Sequence, residues 1–393
     1  MQPKPIVKLS QFRVLRPLYE SLQSDGVKWL AAAHALAEKH SSADGFDAAK
    51  FESQMEKFIS RYGCGPEKIA TRGHELRDYL HTNWDEMRIF NLNKNPNGEF
   101  IEERSRFFLE ASDRAFAHFY KDEQSAPNDI IHVSCTGYMS PSSAQKIVAH
   151  KNWQKETTVT HAYHMGCYAS IPAVRMASGF LSASVLSEGA LTGLKKRIDI
   201  VHTELCTLQL NPSMHSPEQL VVQSLFADGF ISYQAHLVEN SSLPGLNILA
   251  MQEEIVPDST EAMTWECASW GMKMGLSRDV PKLIADALQG FLESLFKQCG
   301  LSFKAEKSRA LFAVHPGGPK IIEKVQELLG LSDAQIECSR GVLKSCGNMS
   351  SATLPHIWER MLSDEGVPWG TKIVSLAFGP GLTICGSILE KAK

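Results

Sequence analysis

The sequence predicts a layered α/β protein beneath a helical N-terminal cover. Three observations carry that expectation: apolar residues at helical intervals through the first part of the chain, a change to short β-rich runs from Asp129 onward, and alternation of such runs with helical stretches to the C-terminus. From about Val27 to Thr82 the spacing is helical, with Trp29, Leu30, Ala33, Leu36 and Ala37 falling at i, i+3, i+4 positions. A polar turn at Asn91–Gly98 leads to a second helical stretch containing Phe107, Phe108, Leu109, Ala115 and Phe116, which Pro127 and Asn128 end.

Asp129–Cys135 is the first β-rich run, and Thr157–Ala162 is the next, running straight into Gly166 and Cys167. Beyond Cys167 the apolar residues Ile171, Val174, Ala177 and Leu181 return to helical spacing, so Cys167 stands at a strand-to-helix turn. Arg197–Val201 and Phe230–Val238 are further strands, separated by a loop around Asn211–Pro217. Asp279, Val280 and Pro281 make a helix start with Asp as N-cap, and Leu283, Leu288, Phe291, Leu292 and Leu295 give that helix a broad apolar face. Ala310–His315 reads as a strand ending in Pro316-Gly317-Gly318-Pro319, followed by a helix that Gly330 closes. Asn348 opens a helix over Met349–Met361, and Lys372–Gly379 and Leu382–Ile388 are the last two strands. Two similar halves joined near Leu243–Asn247 suit this alternation.

Composition narrows the function classes. At about 150 residues per domain, 393 residues supply an ample core without metal or disulfide staples. The 40 Lys and Arg against 44 Asp and Glu leave no basic excess for a phosphate backbone, so nucleic acid is not an expected partner. No stretch approaches the roughly 18 to 20 apolar residues of a membrane span. The mixed polar sequence after Met1 lacks a signal-peptide apolar region, and a cytoplasmic location is expected. The nine cysteines are odd in number and widely spaced, as reduced thiols are.

Three residues stand out for chemistry. Cys167 is either a small buried hydrophobe or a nucleophile whose pKa the nearby helix N-terminus lowers. His161-x-x-His164-x-x-Cys167 has metal-ligand residue types, but the strand-to-helix break scatters them, and no metal is expected. His315, before a Pro-Gly-Gly-Pro turn, is either structural or a partner for a thiolate and donor to an oxyanion. Asn348 is either a helix N-cap or a second donor. The Gly-rich segments fit neither of the common phosphate-binding loop patterns.

Five segments taken together carry a resemblance: Met165-Gly166-Cys167-Tyr168, Phe226-Ala227-Asp228-Gly229, His315-Pro316-Gly317-Gly318-Pro319, Gly347-Asn348-Met349-Ser350-Ser351-Ala352 and Phe378-Gly379-Pro380-Gly381-Leu382-Thr383. In order and spacing they resemble the type III polyketide synthases, the chalcone synthase-like enzymes, across roughly residues 129–388. The Arg61–Arg72 stretch looks more like the bacterial members, including alkylpyrone and alkylresorcinol synthases, than like the plant ones.

The resemblance implies a thiolase fold of two duplicated halves packed as αβαβα layers, residues 1–245 carrying Cys167 and 246–393 carrying His315 and Asn348. It implies a homodimeric acyltransferase without a cofactor, whose substrates are CoA thioesters. An acyl-CoA loads Cys167, malonyl-CoA is decarboxylated, the enolate attacks the thioester, and several rounds precede cyclisation. Cys167 as thiolate beside His315 as imidazolium, with His315 and Asn348 as oxyanion donors, suits that chemistry.

By the same resemblance Phe226 is a gatekeeper, and Met274 occupies the place of a second gatekeeper phenylalanine. Trp265 stands where chalcone synthases have a small Gly. Glu204 and Ser350 match polar cavity positions able to order a water, and Cys135, Cys206 and Gln209 match positions lining a starter pocket. These departures favour an aliphatic starter and an alkylpyrone or alkylresorcinol product. Arg61, Lys68 and Arg72 are candidates for binding CoA phosphates, or else a solvated helix face. Two alternatives remain at this point: a ketoacyl-ACP synthase III-like enzyme condensing once on a carrier protein, and a non-catalytic thiolase-fold partner that binds acyl-CoA.

Overall fold

The structure is a computed structural model that describes residues 6–186 and 195–393. Thirteen strands and eleven α-helices occur among the described residues. In chain order the first half holds β1 (Val7–Leu15), β2 (Tyr19–Leu22), α1 (Gln23–Ser41), α2 (Ala48–Tyr62), β3 (Thr71–His74), α3 (Ile101–Tyr120), β4 (Asp129–Ser134), α4 (Ser143–His150), β5 (Thr158–Tyr163), α5 (Ser170–Leu186), β6 (Ile198–Leu205), α6 (Pro217–Leu225) and β7 (Asp228–Leu237). The second holds β8 (Gly245–Ile255), β9 (Met263–Ala268), β10 (Gly271–Leu276), α7 (Val280–Gln298), α8 (Phe303–Glu306), β11 (Leu311–Val314), α9 (Pro319–Leu329), α10 (Asp333–Cys346), α11 (Thr353–Ser363), β12 (Lys372–Gly379) and β13 (Thr383–Ala392).

Nine strands form one sheet in the order β11-β12-β13-β8-β1-β7-β6-β4-β5. Its two wings mirror one another: β4 lies parallel to β6 and β6 antiparallel to β7, as β11 lies parallel to β12 and β12 antiparallel to β13. The wings meet where β1 and β8 pair through Lys8 with Asn247 and Leu9 with Leu246. Three apolar clusters separate the layers. One joins α5 and α11 to strands of both wings, through Val174, Ala177, Leu181, Ile357, Trp358, Ile231 and Ala377. The second packs α7 and α9 on the outer side of the C-terminal wing, and the third packs α1, α3 and α4 on the N-terminal wing. Helices therefore lie outside both wings and between them, which is the thiolase arrangement of αβαβα layers.

Most strands read from the sequence are present within a few residues, but the long helical reading of 27–82 needs correction. Helix ends at Tyr62, and the extended β3 pairs with β2, a strand that the helical spacing did not disclose. Asp279 precedes α7 without capping it, because its side chain makes no bond to the helix amides.

Arg104 on α3 fixes the loop beneath the site. It is 1% exposed, and its guanidinium donates to the carbonyls of Glu99 (2.7 Å), Asn97 (2.8 Å), Leu210 (2.9 Å) and Leu208. No carboxylate pairs with it, so burial lowers its pKa to about 10. Truncation would leave four carbonyls without donors. We expect Arg104→Ala to lose about 3 kcal/mol or more of unfolding free energy by urea denaturation, with wild-type stability as the contradicting result.

Candidate active site

Cys167 lies in the turn between β5 and α5, held from both sides. Gly166 has φ +81°, and a Cβ there would meet Pro380 Cδ at 2.6 Å, so only glycine fits this backbone and its close approach. The Gly166 amide donates to Cys135 Sγ at 3.0 Å. On the other side the Tyr168 ring lies against Gly379, where a Cβ would come within 2.2 Å of it. These contacts bring the Cys167 turn to the C-terminal end of β12. His315 follows β11 at that same end, because β11 and β12 run parallel and its amide donates to Leu376 O at 2.8 Å.

Asn348 arrives by a different route. Its amide donates to Leu225 O (3.0 Å) and its carbonyl accepts from Ala227 (2.8 Å), a parallel bridge across Phe226 that stitches the second half to the first. The Asn348 side chain is no helix N-cap: Oδ1 accepts from the Ser350 amide at 2.9 Å, and α11 begins only at Thr353. With Oδ1 occupied, Nδ2 is the free end, buried without a partner of normal geometry. Both ring nitrogens of His315 are likewise buried and unpartnered. Unsatisfied buried polar atoms are costly, so their retention on both residues points to a functional role. Cys167 Sγ contacts Ser350 Oγ at 3.7 Å.

The electrostatics correct the expectation of a resting ion pair. Burial pushes the Cys167 thiol up to about 12, outweighing the Ser350 and Asn348 side chains and its own amide, which act the other way. Burial alone drives the His315 imidazole down to about 3. Burial thus favours the uncharged form of each group.

Two adjoining cavities share a wall of Cys206, Phe226, Trp265 and Met274. Cys167, Cys135 and Ser350 line one; Gln209, Thr207, Gln219 and Gln223 line the other. His315 and Asn348, 0% and 1% exposed, line neither cavity. Trp265 and Met274 are cross-strand partners on the β9-β10 hairpin, so both face the cavities from one surface. Trp265 Nε1 donates to Cys135 O at 2.8 Å. Gln209 joins this hairpin to β4 by accepting from Met272 N (2.7 Å) and donating to Thr136 O (2.8 Å).

Glu204 does not line either cavity. It is fully buried, and its carboxylate accepts from Cys135 N (3.0 Å), Thr136 Oγ1 (2.8 Å) and Ser351 Oγ, while burial raises its pKa. It ties the end of β4 to the residues after Asn348.

The three cations separate. Arg61 is exposed over the Tyr62 ring, and Lys68 is exposed in an ion pair with Glu323 at 2.6 Å. Arg72 is not at a surface mouth, which corrects that placement: it is 8% exposed, and donates to Gln23 Oε1 (2.7 Å), Gln223 O (2.9 Å) and Phe226 O (2.9 Å). It holds the Phe226 backbone while facing the cavity. His161 and His164 bond Ser142 and Tyr138, and among the described residues no three His, Cys, Asp or Glu are grouped to hold a metal. Sequence reading passed over Gln219 and Gln223, although their i, i+4 spacing just before Phe226 puts both on one helix face.

Residues 247–392 match the family of chalcone and stilbene synthases, C-terminal domain. The chain is 26% identical over 356 residues to Probable polyketide synthase 1 of Dictyostelium discoideum, covering 89% of this chain and 11% of that protein. It is 27% identical over 270 residues to Type III polyketide synthase C of Arabidopsis thaliana, covering 66% of each. What the chain is similar to, over most of its length, is thus type III polyketide synthases. Among solved structures, the C-terminal type III polyketide synthase domain of Steely1, a type I/III hybrid from Dictyostelium, superposes with a TM-score of 0.81 at 22% identity, covering 99% of this chain and 100% of that one. That likeness bears out the type III polyketide synthase fold. Among the described residues no helix is long and apolar enough to cross a membrane.

Eight histidines (34, 74, 132, 161, 202, 236, 315 and 356) have pKa values lowered by burial, against three carboxylates (129, 204 and 228) raised by it. Below about pH 6.5 the unfolded chain takes up protons that the folded histidines refuse, so acid favours unfolding, and the opposing carboxylates are outnumbered. We expect Tm to fall steeply from pH 6.5 toward pH 4 in calorimetry; a flat profile would contradict this.

Proposed function

We propose that the protein is an iterative acyltransferase: it loads an acyl-CoA starter on Cys167, extends it with malonyl-CoA by decarboxylative Claisen condensation, and releases a cyclised product. The observation that carries this reading is the set of unpartnered buried polar atoms, His315 Nδ1 and Nε2 and Asn348 Nδ2. On loading, Cys167 passes its proton to His315 as sulfur attacks the thioester carbonyl, and the proton leaves with the CoA thiol. His315 is then neutral again, the form its burial favours, and still carries one N–H. Malonyl decarboxylation builds charge on the thioester oxygen, which that N–H and Asn348 Nδ2 stabilise. Loss of CO2 makes the carbanion, so no general base is required. CoA thioesters are substrates, and no cofactor takes part.

The cavity walls support an aliphatic starter. Trp265 and Met274 close one side with apolar surface, and the flexible Met side chain adapts to chain shape. An alkylpyrone or alkylresorcinol-type product follows. Phe226 and Met274 act as the gate between the two cavities, Cys206, Cys135 and Gln209 line the starter path, and Ser350 is the polar group beside Cys167, with Glu204 acting from behind through Cys135 and Thr136. Arg61 and Lys68 are left as the surface cations for CoA phosphates. A cytoplasmic homodimer completes the reading.

Incubation with acetyl to long-chain acyl-CoA starters plus malonyl-CoA, read by mass spectrometry, should give products extended more than once, with aliphatic starters preferred. Extension by a single unit would instead favour the ketoacyl synthase alternative, and no turnover the acyl-CoA-binding one. Cys167→Ala should abolish the acyl-enzyme. Asn348→Ala should slow malonyl-CoA decarboxylation by about a hundredfold while sparing loading, and equal loss of both steps would refute that assignment.

A further inference from the structure

Ser350 is held in a conformation that serine rarely adopts. Its φ is +48°, one of five positive values among the described non-glycine residues, and neither a cap nor a tight hairpin demands it. Glycine would take this backbone without strain, so a side chain is retained here against a conformational cost. The residue is 4% exposed, and its amide is tied to Asn348 Oδ1 at 2.9 Å. That tie aims the hydroxyl at sulfur: Ser350 Oγ meets Cys167 Sγ at 3.7 Å. The neighbouring Cys135 sulfur already accepts the Gly166 amide at 3.0 Å.

In the resting state the Cys167 thiol is the donor and Ser350 Oγ the acceptor. A hydroxyl can rotate and donate instead, which a thiolate requires and a buried apolar neighbour cannot offer. We propose that Ser350 is a further catalytic residue, whose hydroxyl turns to donate to the Cys167 sulfur when the S–H bond breaks and its proton passes to His315. This rests on the reading of Cys167 as the nucleophile and deepens it. The direction of the Cys167 shift agrees, since Ser350 is the foremost group opposing the rise that burial causes. The strained backbone keeps the hydroxyl against the sulfur through each turnover, so the anion is met by a donor already in place.

Iodoacetamide tests this without any CoA substrate. Alkylation of Cys167 is followed by peptide mass spectrometry across pH in the wild type, Ser350→Ala and Ser350→Gly. Both variants should react about tenfold more slowly at neutral pH. Ser350→Gly, which relieves the backbone, should recover none of that loss. Wild-type behaviour in Ser350→Ala would overturn the proposal, as would recovery in Ser350→Gly, which would assign the effect to strain. Wild-type Cys167 that takes no acyl group from an acyl-CoA would sink the nucleophile reading itself, a result distinct from failure of Ser350 alone.

Discussion

The site depends on two main-chain hydrogen bonds across Phe226, from Asn348 N to Leu225 O and from Ala227 N to Asn348 O. They join a loop of the first half to a loop of the second, and much of the site is positioned from that junction. Phe226 faces the cavities because its carbonyl is held by Arg72. Asn348 presents Nδ2 because its Oδ1 is occupied by the turn that follows. Glu204 adds a second tie between the halves, gathering Cys135, Thr136 and Ser351 around one carboxylate. Side chains about 180 residues apart in sequence, Cys167 and Asn348, are thus held by backbone geometry rather than by contact with each other alone.

Burial sets the chemistry available at that junction. Burial favours the neutral forms of the thiol and the imidazole, because each would lose hydration on ionising. Charge then forms only as substrate arrives and a proton moves, and the fixed donors stabilise it where it forms.

The alternation of strands and helices was legible from local spacing wherever an element is buried on one defined face, as at Asp129–Ser134, Leu311–Val314 and Lys372–Gly379. It failed where tertiary pairing overrides propensity. β2 and β3 are four-residue strands whose extended form comes from pairing with each other, and nothing in Thr71-Arg72-Gly73-His74 announces it. Within the site, residue types at Cys167, His315 and Asn348 were readable, but their protonation was not, because desolvation depends on what packs around them. Arg72 shows the same limit: a cation in sequence says nothing of whether its guanidinium faces water or three acceptors.

The β9-β10 hairpin is a two-stranded sheet of its own, outside the nine-stranded one. It is moored to the rest through Gln209 at Met272 N and Gln219 at Met274 O, and these bonds engage backbone atoms. Residue 274 can therefore be exchanged without removing either mooring or any strand pairing of the main sheet, whereas exchange of Trp265 also removes its indole bond to Cys135 O. The protein carries a liner that is replaceable at one of its two positions and fastened to the reaction centre at the other.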